Sequence, residues 1–357
     1  MKYIVVSDFH ADMYTQYAEP IGDEPYNTRF QHQLNTLSTI YKLALKYHAK
    51  VIFNGDLFNS RVNIDQVVYS NIVNTIVDEA NLLSTDKSIH GPSTLLLAGN
   101  HDQYDNSRIP ANSLAMFKNF ENCRVITTPS EFQSEDDDLV FLPYSEDTDW
   151  LKEELDKIVS QKHSTNSYLF AHVGVSGAVQ GKWNHRLGGA FSINELHPEY
   201  FKQIILGHYH LRQSLATGTD CKAYYVGNTV PLNHNDDGQK KGVYLVDTKA
   251  NSAKFIEIQN PMFMTLDAEK HSEADIKEAS KTNYIKIVTH SKESLDTFKD
   301  ESALVSYEPE KDETTSDLGI KMDDSVSKIV KAYTEKYYPQ RTDLALKVLN
   351  KAQEGDS

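Results

Sequence analysis

Thr94-Leu95-Leu96-Leu97-Ala98-Gly99-Asn100-His101-Asp102 begins as an uninterrupted apolar run and ends in a glycine followed by three side chains able to bind metal or move protons. A short apolar run of this kind reads as a buried strand. The glycine reads as a tight turn that points Asn100 and His101 out of the carboxyl end of a sheet, where open α/β sheets place their ligands. Four other stretches repeat the pattern. Tyr3-Ile4-Val5-Val6 runs into Ser7-Asp8-Phe9-His10, and Val51-Ile52-Phe53 runs into Asn54-Gly55-Asp56. Tyr168-Leu169-Phe170-Ala171 runs into His172, and Ile204-Ile205-Leu206 into Gly207-His208-Tyr209-His210. The spacing of Asp8 with His10, and of His208 with His210, matches the two-residue period of an extended chain, in which such residues point the same way and can reach one ion.

Outward from these motifs, Thr28 to Tyr47 carries Phe30, Leu34, Leu37, Ile40, Tyr41, Leu43, Ala44 and Tyr47 at helical spacing, and Ile64 to Leu83 carries Val67, Val68, Ile72, Ile76 and Val77. The resulting βαβαβ alternation predicts parallel strands with helices on the faces. Ala11 to Asn27 is a polar, tyrosine-rich loop with Pro20 and Pro25, long enough to suggest a role at the site. A short helix over Ser113–Asn119, strands over Cys123–Thr127 and Leu139–Tyr144, and a helix over Asp149–Val159 follow. The acidic run Glu135-Asp136-Asp137-Asp138 reads as a solvated loop. Ser176 to Gly189 is a glycine-punctuated loop that could grip a phosphate backbone through Lys182 and Arg186 and stack a base on Trp183, or simply be exposed.

Three alternating runs, Ala223–Val226, Gly242–Asp247 and Lys254–Ile258, are expected to extend a sheet antiparallel and so to give two packed sheets. After Pro261, Met264 to Tyr307 has a β-α-β-α-β pattern, with Ile285, Ile287 and Val288 in its central strand and Leu295 and Phe298 on a helix. Glu308 to Asp317 is charged, lacks large apolar residues and reads as a linker. Asp323 to Tyr338 places Val326, Ile329, Val330, Tyr333 and Tyr337 on one stripe behind a capping serine. Pro339 breaks that helix, and Thr342 starts another bearing Leu344, Ala345, Val348 and Leu349. This hairpin either packs on its own domain or docks on another protein. The expected organisation is α/β: a two-sheet sandwich flanked by helices over 1–260, a small α/β cap over 261–310, and a linker with a C-terminal helical hairpin over 311–357.

A chain of 357 residues has room for one large catalytic domain and something smaller. Its only cysteines, Cys123 and Cys221, are too few for a disulfide framework, and no leader or long apolar segment appears, so a soluble intracellular chain with no membrane contact is expected. The formal net charge of -15 argues against a generic basic nucleic-acid binder, because such affinity comes largely from Lys and Arg displacing counterions. Bound divalent cations would reverse the charge of the site itself, and a partner could supply the rest.

Asp8, His10, Asp56, Asn100, His172, His208 and His210 are the donors available for metal, with His101 left over as a candidate catalytic proton donor. Two divalent ions need about three or four protein ligands each and a bridging carboxylate, which such a mixed nitrogen and oxygen set supplies. The absence of cysteine from the set disfavours structural zinc.

The ordered motifs D-x-H, G-D, G-N-H-D, H and G-H-x-H resemble the calcineurin-like metallophosphoesterase superfamily over roughly residues 1 to 260. The resemblance implies that Asp8, His10, Asp56 and His210 hold one ion, that Asp56, Asn100, His172 and His208 hold the other, and that Asp56 bridges. It also implies in-line attack at phosphorus by hydroxide held between the ions, with His101 stabilising the transition state or protonating the leaving oxygen. Gly55-Asp56-Leu57-Phe58 with Ser60-Arg61, the Gly227-Asn228 turn and Lys241-Gly242-Val243-Tyr244 look like the SbcD (meiotic recombination eleven) nucleases. That likeness implies a manganese-dependent DNA exonuclease and endonuclease, with magnesium or iron as alternative metals. It implies a homodimer working with an SbcC-type coiled-coil ATPase in DNA break processing, recombination and repair. Arg61, Lys182, Trp183 and Arg186 are its candidate substrate-binding residues. Asn59 stands where family members often carry His or Asp, and Gly227-Asn228-Thr229 replaces the commoner Pro-Gly-Ser, which bears on cleavage polarity. The compact length suggests a viral or minimal version, placed in the cytoplasm, the host's if viral. The competing readings are a metallophosphatase or phosphodiesterase acting on small molecules or phosphoproteins, and a non-catalytic scaffold.

Overall fold

A computed structural model describes residues 1–133, 137–161, 166–180, 185–186, 188–291, 304–307 and 324–354. Strands β1 (Lys2–Val6), β2 (Lys50–Asn54), β3 (Thr94–Leu97) and β4 (Cys123–Ile126) pair in parallel in that order. Helices α1 (Thr28–Tyr47) and α2 (Gln66–Leu83) make the first two crossovers. Each is started by a side chain that accepts an orphan N–H of the first turn: Asn27 for α1 and Asp65 for α2.

The chain then builds a second sheet. Strands β5 (Ser130–Gln133), β6 (Asp138–Leu142) and β7 (Ser167–His172) enter it, with helix α3 (Thr148–Gln161) between the last two. A small ladder, β8 (Val179–Gln180) with β9 (His185–Arg186), follows, and β10 (Gln203–Gly207), β11 (Gln213–Leu215) and β12 (Lys222–Tyr225) complete the sheet in the order β11-β12-β10-β7-β6-β5. Strands β13 (Gly242–Asp247) and β14 (Ser252–Glu257) return antiparallel to the first sheet, on the free edge of β1.

Strand alternation decides the layers. Tyr3, Val5, Ile52, Leu95 and Leu97 from one sheet meet Leu139, Phe141, Tyr168, Phe170 and Ile205 from the other. The intervening residues face outward: Ile4, Val6, Val51, Phe53 and Leu96 lie under α1 and α2, and Val140, Leu142, Leu169, Ala171, Ile204 and Leu206 lie with Leu151 and Leu155 of α3. The inner strands β1, β2, β3, β7 and β10 are covered on both faces and carry few polar side chains before they end, which is where the motifs stand.

Two expectations need correcting. The runs at 223–226, 242–247 and 254–258 do not form one antiparallel extension: β12 lies parallel to β10 in the second sheet, while β13 and β14 belong to the first. Asp137 and Asp138 are buried rather than solvated. Asp137 accepts the Thr248 hydroxyl at 2.5 Å and lies 3.7 Å from the N-terminal ammonium, and Asp138 opens β6; Glu135 and Asp136 lie outside the described residues. Short strands β5 and β11 were not anticipated.

Beyond Pro261, β15 (Phe263–Asp267), α4 (Glu273–Ser280), β16 (Tyr284–Thr289) and β17 (Leu304–Tyr307) form a small parallel sheet around Leu266, Ile276, Ile285 and Ile287. The expected helix bearing Leu295 and Phe298 and the expected linker at 308–317 lie outside the described residues. Arg29 of α1 joins this sheet to the body: its guanidinium lies 4.6 Å from the Tyr14 ring, 5.0 Å from Phe263 and 4.8 Å from Tyr284, and donates to the Gln16, Pro231 and Leu232 carbonyls. The C-terminal helices Val326–Tyr337 and Thr342–Glu354 pack on each other, the first capped by Ser325. Among the described residues no helix is long and apolar enough to cross a membrane.

Candidate metal centre

The five motifs converge. β1, β2, β3, β7 and β10 all end at the same edge of the sandwich, and each delivers its polar residues just beyond its last buried position. The donors of Asp8, His10 and His210 lie within 4.8 Å of one another, as do those of Asp8, Asp56 and His172. Asp56 Oδ2 stands 3.7 Å from His10 Nε2 and 3.3 Å from His172 Nε2, so one carboxylate oxygen faces both groups. Asn100 Oδ1 is 2.9 Å from His208 Nδ1 and 3.3 Å from His172 Nε2, which closes the second group. Asp8 also borders both groups, with Oδ1 3.9 Å from His210 Nε2 and 4.0 Å from His172 Nε2.

The backbone that presents these residues is not the extended chain that the spacing suggests. Asp8 and His10 both have φ 49, Asp56 has φ 55 and His208 has φ 96. Positive φ costs an L-residue about 1 kcal/mol or more, so four such residues in one site are held there by their surroundings. Asp8 receives the Ser7 hydroxyl at 2.5 Å and the His208 N–H at 3.0 Å, and Tyr14 donates its hydroxyl to the His10 carbonyl at 3.0 Å.

Two glycines are required by close approach. A Cβ on Gly55 would fall 1.9 Å from His172 Nδ1, and one on Gly99 would fall 2.2 Å from Asp56 Oδ1. Gly55 is also at φ +94; Gly99 is not in the left-handed region, so its role is room for the Asp56 carboxylate rather than a special turn.

Three orienting groups were not anticipated. Asp102, the last residue of the opening stretch, is buried and accepts four backbone N–H groups: Asp56 at 2.9 Å, Leu57 at 3.0 Å, Phe58 at 3.2 Å and Gly99 at 3.0 Å. It thereby ties the β2 loop to the β3 loop. Burial and the nearby Asp56 carboxylate push its pKa up to about 7, against the pull of those donors. The Asn54 carbonyl accepts from His172 Nδ1 at 2.8 Å, which turns the His172 Nε2 atom toward Asp56 and Asn100. The Asn59 carbonyl lies 2.5 Å from His101 Nδ1, while the Asn59 amide donates to Asp12. The only signal for Asp102 in the sequence was a carboxylate directly after two site residues; for the carbonyls there was none.

The donor set suits cations. Asp8 and Asp56 are almost fully buried, and among the described residues neither has a Lys or Arg partner. Burial lowers the pKa of His10 to about 4, with His210 adding to the effect, and burial lowers that of His208 to about 4, with His172 adding. These rings are therefore neutral, and His10 Nε2 faces His210 Nε2 at 3.0 Å. Burial opposes a charge on His172, but Asp56 and Asp8 outweigh it and push its pKa up to about 9. Burial likewise works against the Asp56 charge, and His172 followed by His10 holds its carboxyl well below the usual range. Two buried carboxylates drawing a proton onto one imidazole, amid neutral rings, mark a place short of positive charge.

The remaining candidates separate. His101 joins His10 and Asp56 within 4.8 Å, its ring is 4.7 Å from that of His10, and its backbone N–H donates to Asp56 Oδ1 at 2.8 Å. Arg61 uses its donors on its own chain, at the Gln103 carbonyl (3.0 Å), the Asp105 carbonyl (3.1 Å) and Asn106 Oδ1 (2.7 Å). Lys182 and Trp183 lie outside the described residues; Arg186 is placed in β9 by its backbone.

No curated protein matches the chain. Among solved structures it is similar to a dimetal phosphatase from Danio rerio, at 10% identity and TM-score 0.41 over 68% of this chain and 91% of that one. It is also similar to a hypothetical protein from Thermus thermophilus, at 12% identity and TM-score 0.33 over 64% and 76%. A third similar structure is a 5'-nucleotidase from Candida albicans, at 10% identity and TM-score 0.34 over 78% and 56%. All three are too distant to lend this chain a substrate. The sequence itself matches the calcineurin-like phosphoesterases across residues 1–212, more than half its length and all seven candidate ligands, and the chain belongs to that family of metal-dependent phosphoesterases.

Proposed function

We propose that the protein is a manganese-dependent DNA nuclease of the SbcD type, cutting phosphodiester bonds at the two-ion centre in concert with an SbcC-type coiled-coil ATPase. Asp8, His10, Asp56 and His210 would hold one ion and Asp56, Asn100, His172 and His208 the other. When bound, such ions lower the pKa of water and take up charge developing on phosphate oxygens. The chain's own part is positional: Asp102 and the Asn54 carbonyl keep Asp56 and His172 in place, and the Asn59 carbonyl accepts the His101 Nδ1 proton. That leaves His101 Nε2 as the atom that can hold a proton for the leaving oxygen.

The observation that carries the nuclease reading over a small-molecule phosphatase is the C-terminal hairpin. Val326, Tyr333, Tyr337, Leu344 and Val348 are exposed on it, and Val330, Tyr338, Ala345 and Leu349 line a groove between its helices. An amphipathic pair with its apolar side open suits docking on a partner and serves no purpose in hydrolysing a small phosphoester.

The reading is tested by incubating the protein with manganese and either linear duplex DNA or bis(p-nitrophenyl) phosphate. Degradation of the duplex is expected; intact DNA beside a hydrolysed small diester would leave the phosphodiesterase reading in its place. Deletion of residues 323–357 is expected to preserve manganese-dependent cleavage of single strands while abolishing co-purification with the ATPase. A truncated chain that melts at much lower temperature and still co-purifies would make the hairpin part of the core instead.

A further inference from the structure

A cavity of about 360 Å³ opens against the metal centre, with His208 in its wall. Its volume is in the range of small-ligand sites, about 300–1,000 Å³. Two flat side chains flank that histidine: the Tyr209 ring lies 5.0 Å and the Tyr144 ring 5.7 Å from the His208 ring, and Phe191 adds a third apolar surface. Two of its glycines are packed too closely to carry a side chain. A Cβ on Gly174 would meet Tyr209 Oη at 2.7 Å, and one on Gly189 would meet the Gly174 carbonyl at 2.5 Å.

The polar groups of the cavity select among occupants. Tyr209 donates its hydroxyl to the Gly188 carbonyl at 2.9 Å, and Tyr144 donates to Glu146 at 2.7 Å, so both phenol protons are committed and both rings are oriented. Glu146 is exposed at the rim, and among the described lining residues there is no Lys or Arg. Such a lining repels a second phosphate and accepts a neutral planar group that brings its own N–H donors.

We infer that this cavity is a nucleobase subsite, in which the base attached to the phosphate at the metal centre packs against Tyr144 and Tyr209 and offers its amino group to Glu146. The inference rests on the nuclease reading and deepens it, placing the base of a nucleotide beside the candidate metal centre, where none of the described lining residues is a Lys or Arg. Stacking of this kind is sequence-tolerant, and its loss weakens binding by about tenfold or more. The carboxylate at the rim then biases the site toward bases with an exocyclic amine.

The test is calorimetric titration of the manganese-loaded full chain with deoxyguanosine 5'-monophosphate and with 2-deoxyribose 5-phosphate, which shares the phosphate and sugar but lacks the base. The nucleotide is expected to bind about tenfold tighter or better, Tyr144→Leu to bring the ratio of the two affinities toward one, and Glu146→Gln to lower affinity for deoxyguanosine monophosphate more than for thymidine monophosphate. Equal affinities for the two phosphates in the wild type, or no binding of the nucleotide, would overturn the subsite. If Tyr144→Leu does not fold, the Glu146→Gln comparison decides alone. Duplex DNA left uncut by a protein that still prefers the nucleotide would reject the nuclease reading and keep the subsite.

Discussion

Asp56→Ala is expected to abolish metal-dependent hydrolysis and to remove both high-affinity cation sites at once. The reason lies in one oxygen: Asp56 Oδ2 faces His10 at 3.7 Å and His172 at 3.3 Å, so its loss takes negative charge from both groups of ligands. The other oxygen accepts the His101 N–H, so the substitution also frees the turn that carries Asn100 and His101. Removing even an outer partner of a metal ligand typically costs about 10- to 100-fold in affinity or activity, and a shared ligand must cost more. Asn100→Ala should weaken mainly one ion. Calorimetric titration of the Asp56 variant with manganese is the measurement, and two intact sites would refute the bridging assignment. Asp8, which also borders both groups, would then be the residue to examine.

Replacing His101 by Gln is expected to separate binding from chemistry. General acid or electrostatic help from one side chain typically contributes about a hundred- to ten-thousand-fold in rate. His101 follows Asn100 directly; its Nδ1 is engaged by the Asn59 carbonyl, whereas it is the Asn100 amide oxygen that meets His172 and His208. The variant should therefore keep two ions and its affinity for DNA while kcat falls by about that factor. The competing role is visible in the same geometry, since His101 stands within 4.8 Å of His10 and Asp56 and could itself be a ligand. A variant that loses one ion would make it one; near-normal turnover on a substrate whose leaving group needs protonation would make it a bystander.

The ends of the parallel strands were legible because burial on two faces makes such strands apolar throughout, so the first polar residue announces the edge of the sheet. That holds for Leu97 before Asn100, Phe53 before Asp56 and Leu206 before His208. That the candidate donors come together was legible through order and residue type, yet the conformation was not. A two-residue spacing says that Asp8 and His10 can face one way, and nothing in it distinguishes an extended chain from two left-handed residues. Groups that act through the backbone, the Asn54 and Asn59 carbonyls, leave no trace in the identity of the side chain. Asp137 and Asp138 failed for a related reason: a run of acids reads as solvated until distant chain positions bury it, Thr248 and the N-terminal ammonium meeting Asp137 and strand pairing enclosing Asp138. The sheet to which a strand belongs is equally non-local, which is why the alternation of 223–226 resembled that of 242–247 although their neighbours differ.

Arg29 gives the molecule a mechanical property. Its guanidinium is wedged between Tyr14, whose hydroxyl holds the His10 carbonyl, and Phe263 and Tyr284 of the small sheet. Tyr17, three residues along the same loop, is tied to the Ile285 carbonyl. A pull or a twist on the small sheet is therefore passed through direct contacts to His10 of the candidate centre: the path is ring, cation, ring, hydroxyl, carbonyl. Force, as well as chemistry, has a route into the site.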